Sequence, residues 1–171
     1  MDNDEDTRDP IHALVYACFT GNYEVAAEIL ARDQHMGPSL LNLCLKHACR
    51  AQNIKLAKHI IAAGADDLEY AIIGACDGRG RETIDFVLSR YDEPTPCLNA
   101  ACSNGIEWLA NLMVSRGADK YAGIWSACLF GYHNLAHHLL QGTNLICAHC
   151  GNAADTHASN CAPNQPRAQQ C

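Results

Sequence analysis

The dipeptide Ala-Cys recurs along this chain, and its recurrence constrains the fold more than any other sequence feature. The alanines of the five copies are Ala17, Ala48, Ala75, Ala101 and Ala127. Successive copies are 31, 27, 26 and 26 residues apart. A repeat of a few tens of residues is typical of proteins whose units pack on their sequence neighbours. The sequence therefore predicts about five repeated units.

Each unit contains two stretches with the apolar spacing of a helix. In the first unit, the downstream stretch has apolar residues at i, i+1, i+4 and i+5, namely Val25, Ala26, Ile29 and Leu30. This spacing forms one stripe on a helix of 3.6 residues per turn. The upstream stretch around each Ala-Cys has the spacing i, i+3, i+4, so each unit is predicted to be a helix pair.

One column between the two helices is predicted to hold the turn. It contains Gly21, Gly105 and Gly131, and glycine can take the positive φ that ends a helix. Gln52 and Arg79 occupy the same column in the other two units. Because glycines flank Arg79, we expect its turn to survive with shifted geometry, whereas Gln52 has no flanking glycine.

The Ala-Cys column itself is predicted to be core. Helices about 8 to 10 Å apart leave room only for small side chains where they approach most closely, and cysteine behaves there as a small hydrophobe. We therefore interpret the repeated cysteines as packing residues, not as catalytic or metal-binding groups: Cys18, Cys49, Cys76, Cys102 and Cys128.

Two segments that follow predicted second helices resemble the ankyrin repeat, whose second helix is followed by Gly-Ala-Asp. They are Gly64-Ala65-Asp66 and Gly117-Ala118-Asp119, and the resemblance covers about Pro10 to Gly142. A usual ankyrin unit has about 33 residues, so the shorter period implies loss of the projecting β-hairpin finger. The family's Thr-Pro-Leu-His start is also absent. The resemblance implies an all-α, ankyrin-like solenoid of about five helix pairs with little or no β-hairpin finger.

The compressed units, such as "AGADDLEYAIIGACDGRG", are similar to ankyrin-like proteins of large cytoplasmic DNA viruses, including iridoviruses and the multigene families of African swine fever virus. Such proteins commonly bind signalling or ubiquitin-pathway components in the host cell. The resemblance implies the same class of function here, in the host cytoplasm, with host proteins as partners.

Charge is concentrated at the N-terminus, where residues 1–9 carry five acidic side chains and one arginine. We expect this segment to be a disordered acidic tail before the repeats of residues 10–143. The formal net charge is −7, and the absence of a basic stripe argues against nucleic-acid binding. The sequence has no apolar run long enough for a membrane helix. Eleven cysteines, an odd number lying largely in helical segments, favour a reducing compartment over a disulfide framework.

The repeat pattern stops near Asn144, and residues 144–171 form a Cys/His-rich element. Cys147, Cys150, His157 and Cys161 have the spacing C-x2-C-x6-H-x3-C, which supplies four ligands for one structural zinc ion. His149 and Cys171 are alternative ligands. An unstructured Cys-rich tail and a redox or disulfide role remain open as other interpretations.

The residues beside the Ala-Cys column are the candidates for partner binding. If the helical pattern holds, aromatic, arginine and other exposed side chains face outward there, and such side chains are typical binding anchors. The set is Tyr16, Phe19, His47, Arg50, Trp125, Leu129 and Phe130. Trp125 and Phe130 have a second interpretation, in which they seal the last unit.

No arrangement of residues in the sequence indicates an enzyme. Cys44 and His47 have the spacing of a thiol and its base, but no orienting group or oxyanion donor accompanies them. We therefore expect a protein-protein interaction module that modulates a host component. The alternative is an adaptor whose zinc element recruits ubiquitin machinery or nucleic acid.

Overall fold

The structure is a computed structural model that describes residues 9–33 and 36–141. These residues form ten helices and no β-strand, which confirms the all-α prediction for the part of the chain described. The helices are α1 (Pro10–Thr20), α2 (Tyr23–Arg32), α3 (Pro38–Arg50), α4 (Ile54–Ala62), α5 (Leu68–Gly78), α6 (Arg81–Leu88), α7 (Pro94–Ser103), α8 (Glu107–Ser115), α9 (Lys120–Leu129) and α10 (His133–Leu140).

The helices fall into two compact units, divided between Asp92 and Glu93. In the first unit, α1 packs on α2, α3 on α4 and α5 on α6, while α3 also packs on α1 and α5. In the second unit, α7 packs on α8 and α9, and α9 packs on α10. Each odd-numbered helix is thus the first helix of a pair, as the repeat predicts.

The predicted turn column has a left-handed backbone in every pair. Its φ angle is 73° at Gly21, 66° at Gly105 and 83° at Gly131, which confirms the role of the three glycines. Gln52 and Arg79 adopt the same conformation, with φ of 58° and 57°. The expected shift at Arg79 is therefore wrong, because the turn keeps its geometry and a non-glycine residue occupies it.

A hydrogen bond accompanies the unusual backbone of Gln52. Its side-chain Nε2 donates to the main-chain oxygen of Gly78 over 2.6 Å, and that bond joins the turn after α3 to the end of α5. A non-glycine residue in this region costs on the order of 1 kcal/mol or more. The added bond offsets part of that cost.

The Ala-Cys column forms the centre of both units, as predicted. All five alanines and all five cysteines of the column are at most 3% exposed. Burial raises the pKa of the Cys49 thiol to about 12 and that of the Cys102 thiol to about 12. Both thiols are therefore protonated near neutral pH, as expected for packing residues.

The two Gly-Ala-Asp segments have the same structural role in the two units. Gly64 and Gly117 have φ of 115° and 91°, and the alanines that follow them are buried. The next peptide group bonds to the first helix of the preceding pair: Asp66 N donates to Asn42 Oδ1 over 3.0 Å, and Asp119 N donates to Thr95 Oγ1 over 3.1 Å.

Val25 departs from the predicted buried stripe of α2. Its side chain is 42% exposed, whereas Leu56, the residue of the same column in α4, is fully buried. Helix α4 packs against α2, but the described residues contain no helix before α1 that could cover the equivalent face of α2. Burial of this column therefore depends on whether another pair precedes the helix, which the sequence of a single unit does not show.

Across both described ranges, none of the helices combines the length and the apolar character needed to cross a lipid bilayer.

Candidate protein-interaction surface

Three of the predicted binding residues meet on the first unit, where α1 and α3 lie side by side. Phe19 is in the last turn of α1 and is 48% exposed. His47 and Arg50 are in the last turn of α3, where His47 is half-buried and Arg50 is exposed. Since the equivalent ends of two packed helices lie together, residues about 30 positions apart form one patch, which we call the Phe19 patch: Phe19, His47 and Arg50.

Ring and cation contacts hold the Phe19 side chain in place. The ring centroids of Phe19 and His47 are 5.6 Å apart with an interplanar angle of 71°, which is the edge-to-face arrangement that aromatic rings favour. The guanidinium carbon of Arg50 lies 5.1 Å from the Phe19 ring centroid, within the range of a cation–π interaction. The exposed Phe19 ring thus contacts two side chains of α3 within its own chain.

The electrostatic surroundings of His47 favour its neutral form. Burial, followed by the nearby charges of Lys46 and Arg50, lowers the pKa of His47, while Asp77 opposes the shift. The Nδ1 atom is also buried and has no hydrogen-bond partner among the residues described. Near neutral pH the patch therefore has an uncharged imidazole beside two cationic side chains.

Tyr16 does not join these contacts, although it is 68% exposed on the same helix as Phe19. It lines a shallow groove with His12, Thr20 and Val25, on the side of the first pair that no described helix covers. Of the four residues predicted on the first unit, the structure thus brings three together and places Tyr16 at the adjoining edge.

The remaining predicted binding residues belong to the second unit. Trp125 and Leu129 are one helical turn apart on α9 and are 51% and 59% exposed. Phe130 is the C-cap of α9 and is 61% exposed. All three are exposed apolar side chains of the second unit, and Tyr121, one turn before Trp125 on α9, is exposed as well.

Sequence reasoning missed two aromatic–cation clusters in the first unit, whose rings lie on second helices. The Nζ atom of Lys55 lies 3.6 Å from the ring centroid of Tyr23, and the guanidinium carbon of Arg90 lies 4.2 Å from that of Phe86. Tyr23 and Phe86 occupy different columns of the repeat. No repeated signal in the sequence therefore marks these clusters.

The Cys44 and His47 pair is not assembled as a thiol and its base. The Cys44 thiol is fully buried and is hydrogen bonded with the Cys18 thiol of α1. That contact, together with burial, raises the pKa of Cys18. The His47 ring instead packs against Phe19, so the two side chains have separate surroundings.

The predicted zinc ligands Cys147, Cys150, His157 and Cys161 lie outside the described residues. Within residues 9–33 and 36–141, no three His, Cys, Asp or Glu side chains are grouped so that they could hold a metal ion. The zinc site remains a prediction from the ligand spacing.

The sequence matches no protein-family model, and no curated protein matches it significantly.

Proposed function

We propose that this chain is a protein-interaction module made of degenerate ankyrin-type helix pairs, and that the Phe19 patch binds a partner protein. The observation that carries the proposal is the half-exposed ring of Phe19, which packs against His47 and Arg50. A pre-ordered aromatic anchor loses little conformational entropy on binding, and aromatic and arginine side chains dominate binding energies at protein interfaces.

Support for the ankyrin-type description comes from the repeated details of the pairs. Each first helix ends in a left-handed residue, and each Gly-Ala-Asp segment bonds to the first helix of the pair before it. No strand, and hence no β-hairpin finger, occurs in the described ranges. Without a finger in these ranges, a partner protein would bind to the exposed side chains of the helices.

The charges around the patch indicate the chemistry of the partner segment. Lys46 and Arg50 place positive charge near the neutral His47, and Asp77 places negative charge near it. An apolar side chain of the partner would pack on Phe19, and a neighbouring carboxylate would pair with Arg50. The partner segment is therefore one with an apolar anchor beside an acidic residue.

The similarity to ankyrin-like proteins of large cytoplasmic DNA viruses favours a role inside an infected host cell. In that setting the partner is a host signalling or ubiquitin-pathway protein in the cytoplasm, which the module occupies and so modulates. The proposal requires no catalytic group.

Quantitative affinity capture from eukaryotic cells tests the role of Phe19. Phe19→Ala removes the anchor, whereas Ile11→Ala is a matched control because Ile11 lies two turns earlier on the same stripe of α1 and is 46% exposed. We expect Phe19→Ala to lose at least about ten-fold of a specific partner's enrichment, equivalent to about 1.4 kcal/mol, and Ile11→Ala to retain it. Equal enrichment with both variants, at unchanged thermal stability, would contradict the proposal.

A further inference from the structure

Three positions on the first helix of a pair serve as the contact surface for the next pair. In α3 they are Asn42, Lys46 and Arg50: Asn42 bonds to Asp66 and Asp67, and the main chain of the other two lies against α5. These positions are spaced by four residues and form one stripe on the helix. We call this stripe the stacking face.

The second unit uses the same positions. The stacking face of α7 is Thr95, Asn99 and Ser103, at the same offsets from the Ala-Cys column as in α3. Thr95 accepts a hydrogen bond from Asp119 N, and Asn99 Oδ1 accepts one of 3.4 Å from Ser126 Oγ. In both units, therefore, the stacking face of a first helix is covered by the segment that follows its own pair.

The stacking face of α9 is built from large apolar residues. At the same offsets α9 has Tyr121, Trp125 and Leu129, which are 49%, 51% and 59% exposed. The polar side chains of Asn42 in α3 and of Thr95 and Asn99 in α7 make specific hydrogen bonds with the following pair. An aromatic and aliphatic stripe instead favours a covering segment that brings apolar side chains.

The chain supplies such a segment at the right distance. Four to five residues separate a second helix from the next first helix of its unit, between Arg32 and Pro38, Ala62 and Leu68, and Ser115 and Lys120. Four residues after Leu140, the chain continues with the apolar pair Leu145 and Ile146.

We propose that residues 142–171 cover the stacking face of α9, with Leu145 and Ile146 packing on Tyr121, Trp125 and Leu129. The segment then covers the apolar face of the α9–α10 pair, as capping repeats do in repeat arrays. This assignment removes Trp125 and Leu129 from the partner-binding set. It does not depend on what the Phe19 patch binds.

Tryptophan fluorescence of the full chain tests the cap. The chain has two tryptophans, so Trp108→Phe leaves Trp125 as the reporter. In this background we expect the double variant Leu145→Asp and Ile146→Asp to raise acrylamide quenching of Trp125 severalfold and to shift its emission to the red. The matched control, Gln169→Asp and Gln170→Asp, adds the same charge to the segment and leaves both signals unchanged.

Two results would overturn the cap. One is equal quenching of Trp125 in the parent and in the Leu145/Ile146 variant. The other is protection in the parent that disappears on dilution, since that dependence assigns the stacking face of α9 to a second copy of the chain. If the aspartate variant loses helicity by circular dichroism, Leu145→Ala with Ile146→Ala is used, and the same increase in quenching is required of it.

Discussion

Gly74 of α5 lies directly against the main-chain carbonyl group of Lys46 in α3. One turn later, Gly78 makes the same approach to the carbonyl group of Arg50. Each contact would overlap a Cβ atom, so the two helices pack backbone to backbone at these points. The Phe19 patch depends on this packing indirectly, because α3 positions His47 and Arg50 while it is held between α1 and α5.

Gly74→Ala should therefore destabilise the first unit. A Gly→Ala change inside an exposed helix ordinarily stabilises by roughly 1 kcal/mol, but here the added methyl group meets backbone that cannot rotate away. We expect a net loss on the order of 1 to 3 kcal/mol, measured by urea unfolding. Gly37→Ala is the control, because a Cβ atom there meets nothing within 4 Å; it should cost at most about 1 kcal/mol as an N-cap change. Equal losses would contradict the backbone contact.

The two turn glycines of the second unit should respond differently to alanine. Both have positive φ, but a Cβ atom added at Gly131 would meet nothing within 4 Å, whereas one added at Gly105 would overlap the ring of Tyr132. Gly131→Ala should cost about 1 kcal/mol from backbone strain alone, and Gly105→Ala should cost more. Chemical unfolding of the two variants compares them, and a larger loss at Gly131 would refute this explanation.

His47 should titrate below its ordinary pKa of 6.5, because burial and the adjacent cations disfavour its charged form. The unfolded chain then binds more protons than the folded chain between the two pKa values. Stability contributed by neutral His47 is therefore present above pH 6.5 and is lost as the pH falls through the folded-state pKa.

Imidazole titration by NMR and pH-dependent unfolding of His47→Gln measure this effect. The variant should show a weaker loss of stability on acidification than the parent chain. A His47 midpoint at or above 6.5, or an identical pH dependence in the variant, would contradict the stated surroundings.

The predicted zinc site leads to a metal-removal experiment. Protein purified without chelator under reducing conditions should contain one zinc ion per chain, and Cys150→Ser should lower that content sharply. Because Cys171 and His149 are alternative ligands, Cys171→Ala and His149→Ala are the informative comparisons, and zinc retained in both variants assigns the site to Cys147, Cys150, His157 and Cys161. Absence of stoichiometric zinc from the parent chain would end the zinc interpretation.

The repeated columns predict the helix pairs well, because the same position of every pair needs the same kind of residue. Small residues at the Ala-Cys column mark close helix packing, and glycines at Gly21, Gly105 and Gly131 mark the left-handed turn. Gln52 shows the limit of this reasoning. Its left-handed backbone follows from the packing of the pairs and from its hydrogen bond to Gly78. Neither can be predicted from the residue type at position 52.

The candidate surface is predictable only in part. Helical spacing places Phe19, His47 and Arg50 outward, but their contact with one another depends on how α1 and α3 align, since they lie about 30 residues apart in sequence. The exposure of Val25 has the same origin, because it depends on which helix precedes the pair. Neighbour relations of this kind are properties of the packed pairs rather than of the repeat pattern.

Photo-crosslinking from position 19 tests the central claim most directly, because it reports what touches the Phe19 patch in the cell. The chain is expressed with p-benzoylphenylalanine in place of Phe19 or, as the matched control, in place of Ile11. We predict a discrete crosslinked protein from position 19 that position 11 does not give and that Arg50→Ala weakens. No discrete product from position 19, or the same product from both positions, would contradict the assignment of this face to partner binding.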